Sequence, residues 1–121
     1  WQLLPITKQE QIIGRNKTDN AKFDSIDLAA DSHTARVQFA SRAGKNSTML
    51  TQNMPYGDMS IQGLYCVSCA NSPQPFTKLL NARVVVDEEG NYDRLLNYTT
   101  AETGGAFFAP SITFFKQQAK D

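Results

Sequence analysis

Two cysteines separated by two residues are the first candidate for chemistry in this sequence. A Cys-x-x-Cys pair can act as a redox couple or supply half of a zinc site. Cys66 and Cys69 lie in Met59–Cys69, whose alternating apolar and polar residues predict a β-strand. Residues three apart in an extended chain have Cα atoms about 10 Å apart, whereas a disulfide needs about 4.4–6.8 Å. The two cysteines can therefore form a disulfide only if the chain turns at Val67 and Ser68.

The single histidine, His33, is the other residue that could take part in catalysis. A Ser-His-Asp triad could use it, but the sequence has no Gly-x-Ser-x-Gly elbow to place a nucleophile. A zinc site made of His33, Cys66 and Cys69 would lack a fourth ligand. A histidine in a predicted turn next to Asp31 is typical of a surface residue. The sequence therefore predicts no catalytic residue, no metal ligand and no cofactor.

The charges of the chain are balanced, with 12 acidic and 12 basic residues. A net charge of zero argues against broad electrostatic binding to nucleic acid or to an anionic membrane. The chain also has no apolar run long enough for a transmembrane helix. We therefore expect neither nucleic acid nor membrane insertion, and protein is the predicted partner.

The 121 residues are enough for one domain with a core, so we predict a single domain over 1–121. The chain begins at Trp1 without methionine, which suggests a mature or trimmed product. Glycosylation sequons begin at Asn16, Asn46 and Asn97, although chance explains them simply in a chain rich in Asn and Thr. The locations that we consider are secreted, periplasmic or virion-associated.

Short strands between frequent turn signals determine the predicted fold. The β-branched run Arg83–Val86 and the segment Tyr92–Thr100 flank an acidic turn and predict a hairpin. The very apolar segment Ala106–Phe115 contains Pro110, which favours an edge strand. We therefore predict a mainly β protein, a single-domain antiparallel β-sandwich or barrel of short strands.

Residues 21–43 fit two predictions. As a helix they would place apolar residues at three- and four-residue steps, ending at Gly44. As strands, Thr34–Phe39 alternates better, and residues 44–46 would form a hairpin loop. The strands are favoured, and the alternative is an α+β fold with one helix at about 21–43.

The two ends of the chain are predicted to lie outside the body of the domain. Pro5 makes a continuous helix from Trp1 unfavourable, so 1–20 is predicted as an arm, with an added edge strand, and a loop. Residues 116–121 are predicted as a polar tail. Adjacent phenylalanines on a strand would face opposite sides, so one of each pair faces the core and the other faces a second apolar layer. That layer is either a second subunit or more of the same domain. The predicted interface residues are Trp1, Leu3, Phe107, Phe108, Phe114 and Phe115.

These observations favour a non-enzymatic structural or protein-interaction subunit, of a larger assembly such as a virion or a cell-surface structure. One alternative is a small thiol-redox or metal-binding protein that uses Cys66 and Cys69. The other is a β domain that binds a small ligand or a glycan.

Overall fold

The computed structural model describes residues 1–42 and 49–119, apart from the side chains of 39–42. The helices and strands in those ranges are α1 (Ile6–Ile13), α2 (His33–Arg42), β1 (Met49–Gly57), β2 (Gln62–Ala70), α3 (Gln74–Val84), the short 3-10 helix η1 (Arg94–Asn97) and α4 (Ile112–Gln118). The described part of the chain is α+β with one two-stranded sheet. The prediction of a mainly β sandwich or barrel is therefore wrong.

Helix α1 lies in the segment that was predicted as an arm and loop. Pro5 is its N-cap, and the carbonyl of Pro5 accepts hydrogen bonds from the backbone N–H groups of Lys8 and Gln9 at 3.0 and 3.1 Å. A proline is unfavourable inside a helix but is well accommodated at its start, where backbone N–H groups lack partners. The helix ends at Gly14, whose φ of +81° is a left-handed conformation that glycine adopts without strain. The proline thus starts the helix, and the edge strand predicted here is absent from the described arm.

Helix α2 begins directly after Ser32, in the segment where strands were favoured. The Ser32 hydroxyl donates to the Ala29 carbonyl at 2.7 Å and accepts from the backbone N–H of Ala35 at 3.3 Å. Such a cap satisfies a donor that the first helical turn leaves free. This local hydrogen bonding outweighs the period-two pattern of 34–39. The hairpin loop predicted at 44–46 and the sequon at Asn46 lie outside the described residues.

Strands β1 and β2 form an antiparallel hairpin, with Met49 opposite Ala70 and Gly57 opposite Gln62. The predicted strand at Met59–Cys69 is therefore present but begins three residues later. The delay arises at Asp58, whose carboxylate accepts the backbone N–H groups of residues 60 and 61 at 2.7 and 2.9 Å. An aspartate that binds the backbone two residues onward favours a turn over a strand.

Helix α3 covers Arg83 and Val84, the first half of the segment predicted as a buried strand at Arg83–Val86. It packs on α2 through Arg36, whose Nε donates to the Ala82 carbonyl at 2.6 Å and whose Nη2 donates to the Val85 carbonyl at 3.2 Å. Its Nη1 pairs with Asp87 at 2.8 Å. Val84 is therefore the last residue of α3, and Val85 and Val86 follow the helix.

The strands predicted in the last third of the chain are absent from the described structure. Tyr92–Thr100 contains η1, and residues 101–111 have no regular secondary structure. Ala106–Phe115 was predicted as an edge strand, but α4 begins at Ile112, where the Ser111 hydroxyl accepts the N–H of Phe114 at 3.2 Å. Helix α4 also covers the first half of the predicted polar tail.

Little apolar surface is buried within the described chain. The buried hydrophobic core there consists of Ile12 and Ala82, which are 1% and 7% exposed. The accessible surface is 10146 Å², whereas a compact protein of this mass exposes about 6,500 Å². No helix in the described ranges is long and apolar enough to cross a membrane.

Candidate functional site

The carboxylate of Asp93 joins three parts of the chain. Asp93 is completely buried. Its Oδ2 accepts hydrogen bonds from Nδ1 of His33 at 2.8 Å and from Nε of Arg83 at 2.7 Å. Its Oδ1 accepts the backbone N–H of Leu95 at 3.1 Å, which caps η1. Both oxygens therefore have partners, and the orientation of the carboxylate is fixed.

Backbone contacts hold Asp93 beside both of its side-chain partners. The N–H of Asp93 donates to the carbonyl of Arg83 at 3.0 Å. The next N–H, from Arg94, donates to the carbonyl of Asp31 at 3.0 Å, and the two side chains of that pair form an ion pair. The chain before η1 is thus held between the end of α3 and the start of α2. His33 is the first residue of α2, so these contacts bring Asp93 within reach of its ring.

Helix α1 packs against the residues on either side of His33. A Cβ placed on Gly14 would lie 3.0 Å from the Ser32 hydroxyl, 3.0 Å from Cβ of Thr34 and 2.6 Å from Cδ1 of Leu28. Only a residue without a side chain allows this approach. The end of α1 therefore helps to fix the position of the first turn of α2.

Opposing effects set the charge state of Asp93. Burial raises the pKa of this carboxyl, but the hydrogen bonds and positive charge of His33 and Arg83 outweigh burial and hold the pKa below its ordinary value of 3.8. Asp93 is thus ionised at neutral pH. An ionised carboxylate can only accept hydrogen bonds, so Nδ1 of His33 carries the proton.

This tautomer gives His33 a nitrogen that can bind a metal ion. In the neutral ring, whose single proton is on Nδ1, the lone pair is on Nε2. The side chain is 31% exposed, whereas that of Asp93 is 0% exposed. A carboxylate that binds one nitrogen of a histidine, while the other nitrogen binds a metal, is a common arrangement in metalloproteins. The pair can therefore supply one oriented metal ligand.

The cysteines are not brought to this histidine. Among the described residues, no three His, Cys, Asp or Glu side chains form a possible metal site. Cys66 and Cys69 are free thiols on one continuous strand, opposite Asn53 and Leu50 respectively. Side chains three apart on a strand face opposite sides of the sheet, so the chain does not make the turn that a disulfide requires.

All six predicted interface residues are exposed, and Leu3 and Phe107 are almost fully so, at 100% and 96%. Phe107 and its neighbour Phe108 are both exposed, so neither faces a core formed by the described chain. Their role in an interface stays a prediction.

Asp93 and Arg83 were not predicted as site residues from the sequence, and His33 was predicted to lie in a surface turn. Asp93 is 60 residues from His33 in the chain, and no local pattern links residues so far apart. One signal was available, because Asp31-Ser32 directly before the histidine is a typical helix start.

Comparison with known proteins gives one consistent result. The family described as "Dyp-type peroxidase, C-terminal" matches residues 1–114. A dye-decolorizing peroxidase of Mycolicibacterium paratuberculosis is 34% identical over 116 residues, which are 94% of this chain and 33% of that protein. The chain therefore spans about a third of the length of the curated relatives that it matches.

Solved structures agree with this result. A Dyp-type peroxidase protein from Shewanella oneidensis has a TM-score of 0.84 at 44% identity, covering 97% of this chain and 38% of that one. An encapsulated Dyp-type peroxidase from Mycobacterium smegmatis has a TM-score of 0.81 at 32% identity, covering 94% and 38%. A variant of Rhodococcus jostii DypB in complex with heme has a TM-score of 0.69 at 29% identity, covering 80% and 32%.

These matches correct the function that was predicted from sequence. A peroxidase is an enzyme, so the hypothesis of a non-enzymatic structural or interaction subunit is wrong. The same match overturns the two alternatives, a thiol-redox or metal-binding protein that uses Cys66 and Cys69 and a β domain for a small ligand or glycan. By sequence and by fold, this chain belongs to the family of Dyp-type peroxidase C-terminal domains.

Proposed function

We propose that this chain forms part of a haem peroxidase and that His33 is its iron ligand. The observation that carries the proposal is the hydrogen bond between Nδ1 of His33 and the buried carboxylate of Asp93. Family membership supports the reaction class, and one structural relative is in complex with heme. No cofactor was predicted from the sequence, so the proposal of haem goes beyond that prediction.

The residues present fit a haem better than a bare metal ion. A structural or catalytic zinc ion needs three or four protein ligands, and the described residues contain no such cluster. Haem iron receives four ligands from the porphyrin and in peroxidases takes one histidine from the protein. Asp93 itself is not available as a ligand, because both of its oxygens accept hydrogen bonds.

When bound, the haem supplies the electron-transfer chemistry, and the protein supplies binding, orientation and electrostatics. Nε2 of His33 donates its lone pair to the cofactor. Asp93 accepts the Nδ1 proton, which fixes the tautomer and the plane of the ring. Because Asp93 is buried, water does not compete for this hydrogen bond. Arg83 supplies the positive charge that keeps the carboxylate ionised.

A haem titration of the protein tests this proposal. We expect His33→Gly to lose the absorption band of histidine-ligated haem and to regain it when free imidazole is added, because imidazole can occupy the space left by the side chain. Arg15→Gln is a suitable control, since the Arg15 side chain donates to the carbonyl of Asn20 in an exposed loop. An unchanged haem spectrum in His33→Gly would show that another group ligates the iron.

We also propose that the protein associates with other protein, as the sequence analysis expected. The peroxidase from Mycobacterium smegmatis is described as encapsulated, and the large exposed apolar surface of this chain supports such contacts. Co-elution of the native protein with a protein partner, or with further copies of itself, on a sizing column tests this. A native protein that elutes alone as a monomer would contradict it.

A further inference from the structure

We propose that Arg83 is a positioning residue that sets how strongly His33 donates electrons to the haem iron. The proposal rests on the proposed function, because it concerns the His33–haem bond. Arg83 acts through the carboxylate of Asp93, which also binds His33.

The two donors compete for one atom. Nδ1 of His33 and Nε of Arg83 both donate to Oδ2 of Asp93, at 2.8 and 2.7 Å. The other oxygen is occupied by the backbone N–H of Leu95. Asp93 cannot turn to offer each side chain its own oxygen without losing the cap of η1. The hydrogen bond to His33 is therefore always made to an oxygen that also binds a guanidinium.

Sharing this oxygen weakens it as an acceptor from His33. A guanidinium stays protonated at any pH that a protein tolerates, so its charge is permanent. A positive group 2.7 Å from Oδ2 draws negative charge toward itself and away from the Nδ1–H hydrogen bond. Carboxylate partners raise the basicity of a ligating histidine, and Arg83 reduces that effect. Nε2 is then a weaker donor than a histidine with an unshared carboxylate.

A second contact makes the arrangement rigid. The backbone N–H of Asp93 donates to the carbonyl of Arg83 at 3.0 Å. Arg83 and Asp93 are thus joined through both main chain and side chain. The Arg83 side chain is 28% exposed, whereas the carboxylate that it binds is completely buried. A purely structural role for this ion pair would affect stability and would leave the electronic properties of the haem unchanged.

The experiment compares Arg83→Gln and Arg83→Lys in the haem-loaded protein, with two readouts other than activity. In Arg83→Gln we expect the iron–histidine stretching band of the ferrous haem to move to higher frequency in resonance Raman spectra. We expect the haem reduction potential to fall, because a stronger donor stabilises the oxidised iron. Arg83→Lys keeps the charge and should fall between the variant and the native protein.

Arg15→Gln is the control. It removes a guanidinium in an exposed loop, where Nη1 of Arg15 donates to the carbonyl of Asn20. This variant should leave the Raman band and the potential unchanged. If Arg83→Gln binds haem with the native band and potential, the proposal is overturned. If the native protein shows no histidine-ligated haem, it is the proposed function that fails, and the two failures are thus distinct.

A measurement without haem covers the case in which Arg83→Gln does not load the cofactor. In the protein before haem is added, the Nδ1 proton of His33 can be observed by NMR. We expect its resonance to move downfield in Arg83→Gln, since the hydrogen bond to Asp93 becomes stronger, and to move less in Arg83→Lys. A resonance at the native position in the folded variants would overturn the proposal. If Arg83→Gln does not fold, Arg83→Lys alone decides by the same criterion.

Discussion

At Asp93, one buried carboxylate determines both the tautomer of a histidine and the start of a 3-10 helix. Each of its hydrogen bonds is made to an ionised acceptor, and such bonds are about twice as strong as neutral ones. Their loss should therefore be visible in both stability and haem binding.

Asp93→Asn is expected to destabilise the fold by roughly 1–3 kcal/mol at pH 7, because it removes the acceptor charge and leaves Arg83 without its partner. Urea denaturation of the haem-free protein measures this. A free energy of unfolding within 0.5 kcal/mol of the native value would show that the buried carboxylate contributes little.

The loss of stability in Asp93→Asn is expected to depend on pH. The pKa of Asp93 lies below 3.8 in the folded protein, so its contribution to stability is present above the unfolded value and is lost as the pH falls through the folded pKa. The stability difference between native protein and Asp93→Asn should therefore shrink as the pH falls below about 4. Denaturation curves between pH 3 and pH 7, on the scale of ordinary carboxyl titrations, test this. A difference that stays constant down to the lowest pH would contradict it.

The sequence could predict very little at this scale. His33 stood out only as the single histidine. Its partner Asp93 lies 60 residues further on, and Arg83, which binds the same carboxylate, lies 50 residues further on. A hydrogen bond between residues so far apart depends on how the helices pack, and no short motif records that packing.

Among the helices and strands, the packing of α2 on α3 depends on one arginine. Arg36 is 8% exposed and donates to two main-chain carbonyls that end α3 and to the side chain of Asp87. Because His33 is one turn earlier on α2 and Arg83 is at the end of α3, this contact also sets the distance across the site.

Arg36→Gln is expected to cost roughly 2–3 kcal/mol, because the carbonyls of Ala82 and Val85 lose their charged donor. Arg94→Gln is the matched comparison, since its ion pair with Asp31 is 40% exposed on the arginine side and should contribute about 0–1 kcal/mol. Chemical denaturation of the two variants gives both values. Equal losses would show that the contacts of Arg36 are no stronger than those of a surface pair.

Gly14→Ala is expected to destabilise the protein and to weaken haem binding. The new Cβ would press on Ser32 and Thr34, next to His33, in a backbone conformation with φ of +81°. Gly90→Ala is the control, because Gly90 also has a positive φ, +86°, but has nothing within 4 Å of its Cβ position. Both should lose about 1–2 kcal/mol from the left-handed backbone, and only Gly14→Ala should also weaken haem binding, as measured by titration. Equal haem affinities would contradict this role of Gly14.

The sequence predicted elements best where a signal is local. The strand around Cys66 was found because alternation and a following proline-rich turn agree. Helices α1 and α3 were not predicted, and a helix in the region of α2 was only the less favoured alternative at about 21–43. Pro5 was interpreted as an interruption although it starts α1, and the apolar stripes of α2 and α3 are weak. Gln9 and Arg36 are buried polar residues, and their side chains make hydrogen bonds that a hydrophobic pattern does not show.

As a whole molecule, the described chain exposes far more surface than a compact protein of its mass, and many of its large hydrophobic side chains are exposed. Both faces of the hairpin and the phenylalanines of 106–115 contribute to this surface. The predicted boundary of a single domain at 1–121 stays a prediction.

Produced by itself, the 121-residue chain is expected to bind the dye ANS strongly and to elute above its monomer mass of 13.4 kDa. Replacing Phe107 and Phe108 by serine should reduce both effects, because these side chains are 96% and 86% exposed. The double variant Phe107→Ser/Phe108→Ser is compared with the native chain by ANS fluorescence and light scattering. A native chain that is monomeric and binds no dye would contradict the prediction.

The function could not be predicted from the sequence, because a haem site need not contain a group of catalytic or metal-binding residues with a recognisable spacing. A haem protein can ligate its iron through a single histidine, and His33 is a single histidine. The residues that distinguish it, Asp93 and Arg83, become recognisable only in the folded chain.

The most direct test of the central claim is an experimental structure of the protein with haem bound. We expect the iron to be coordinated by Nε2 of His33 while Nδ1 keeps its hydrogen bond to Asp93. Iron coordinated by any other residue, or a haem bound away from His33, would contradict it.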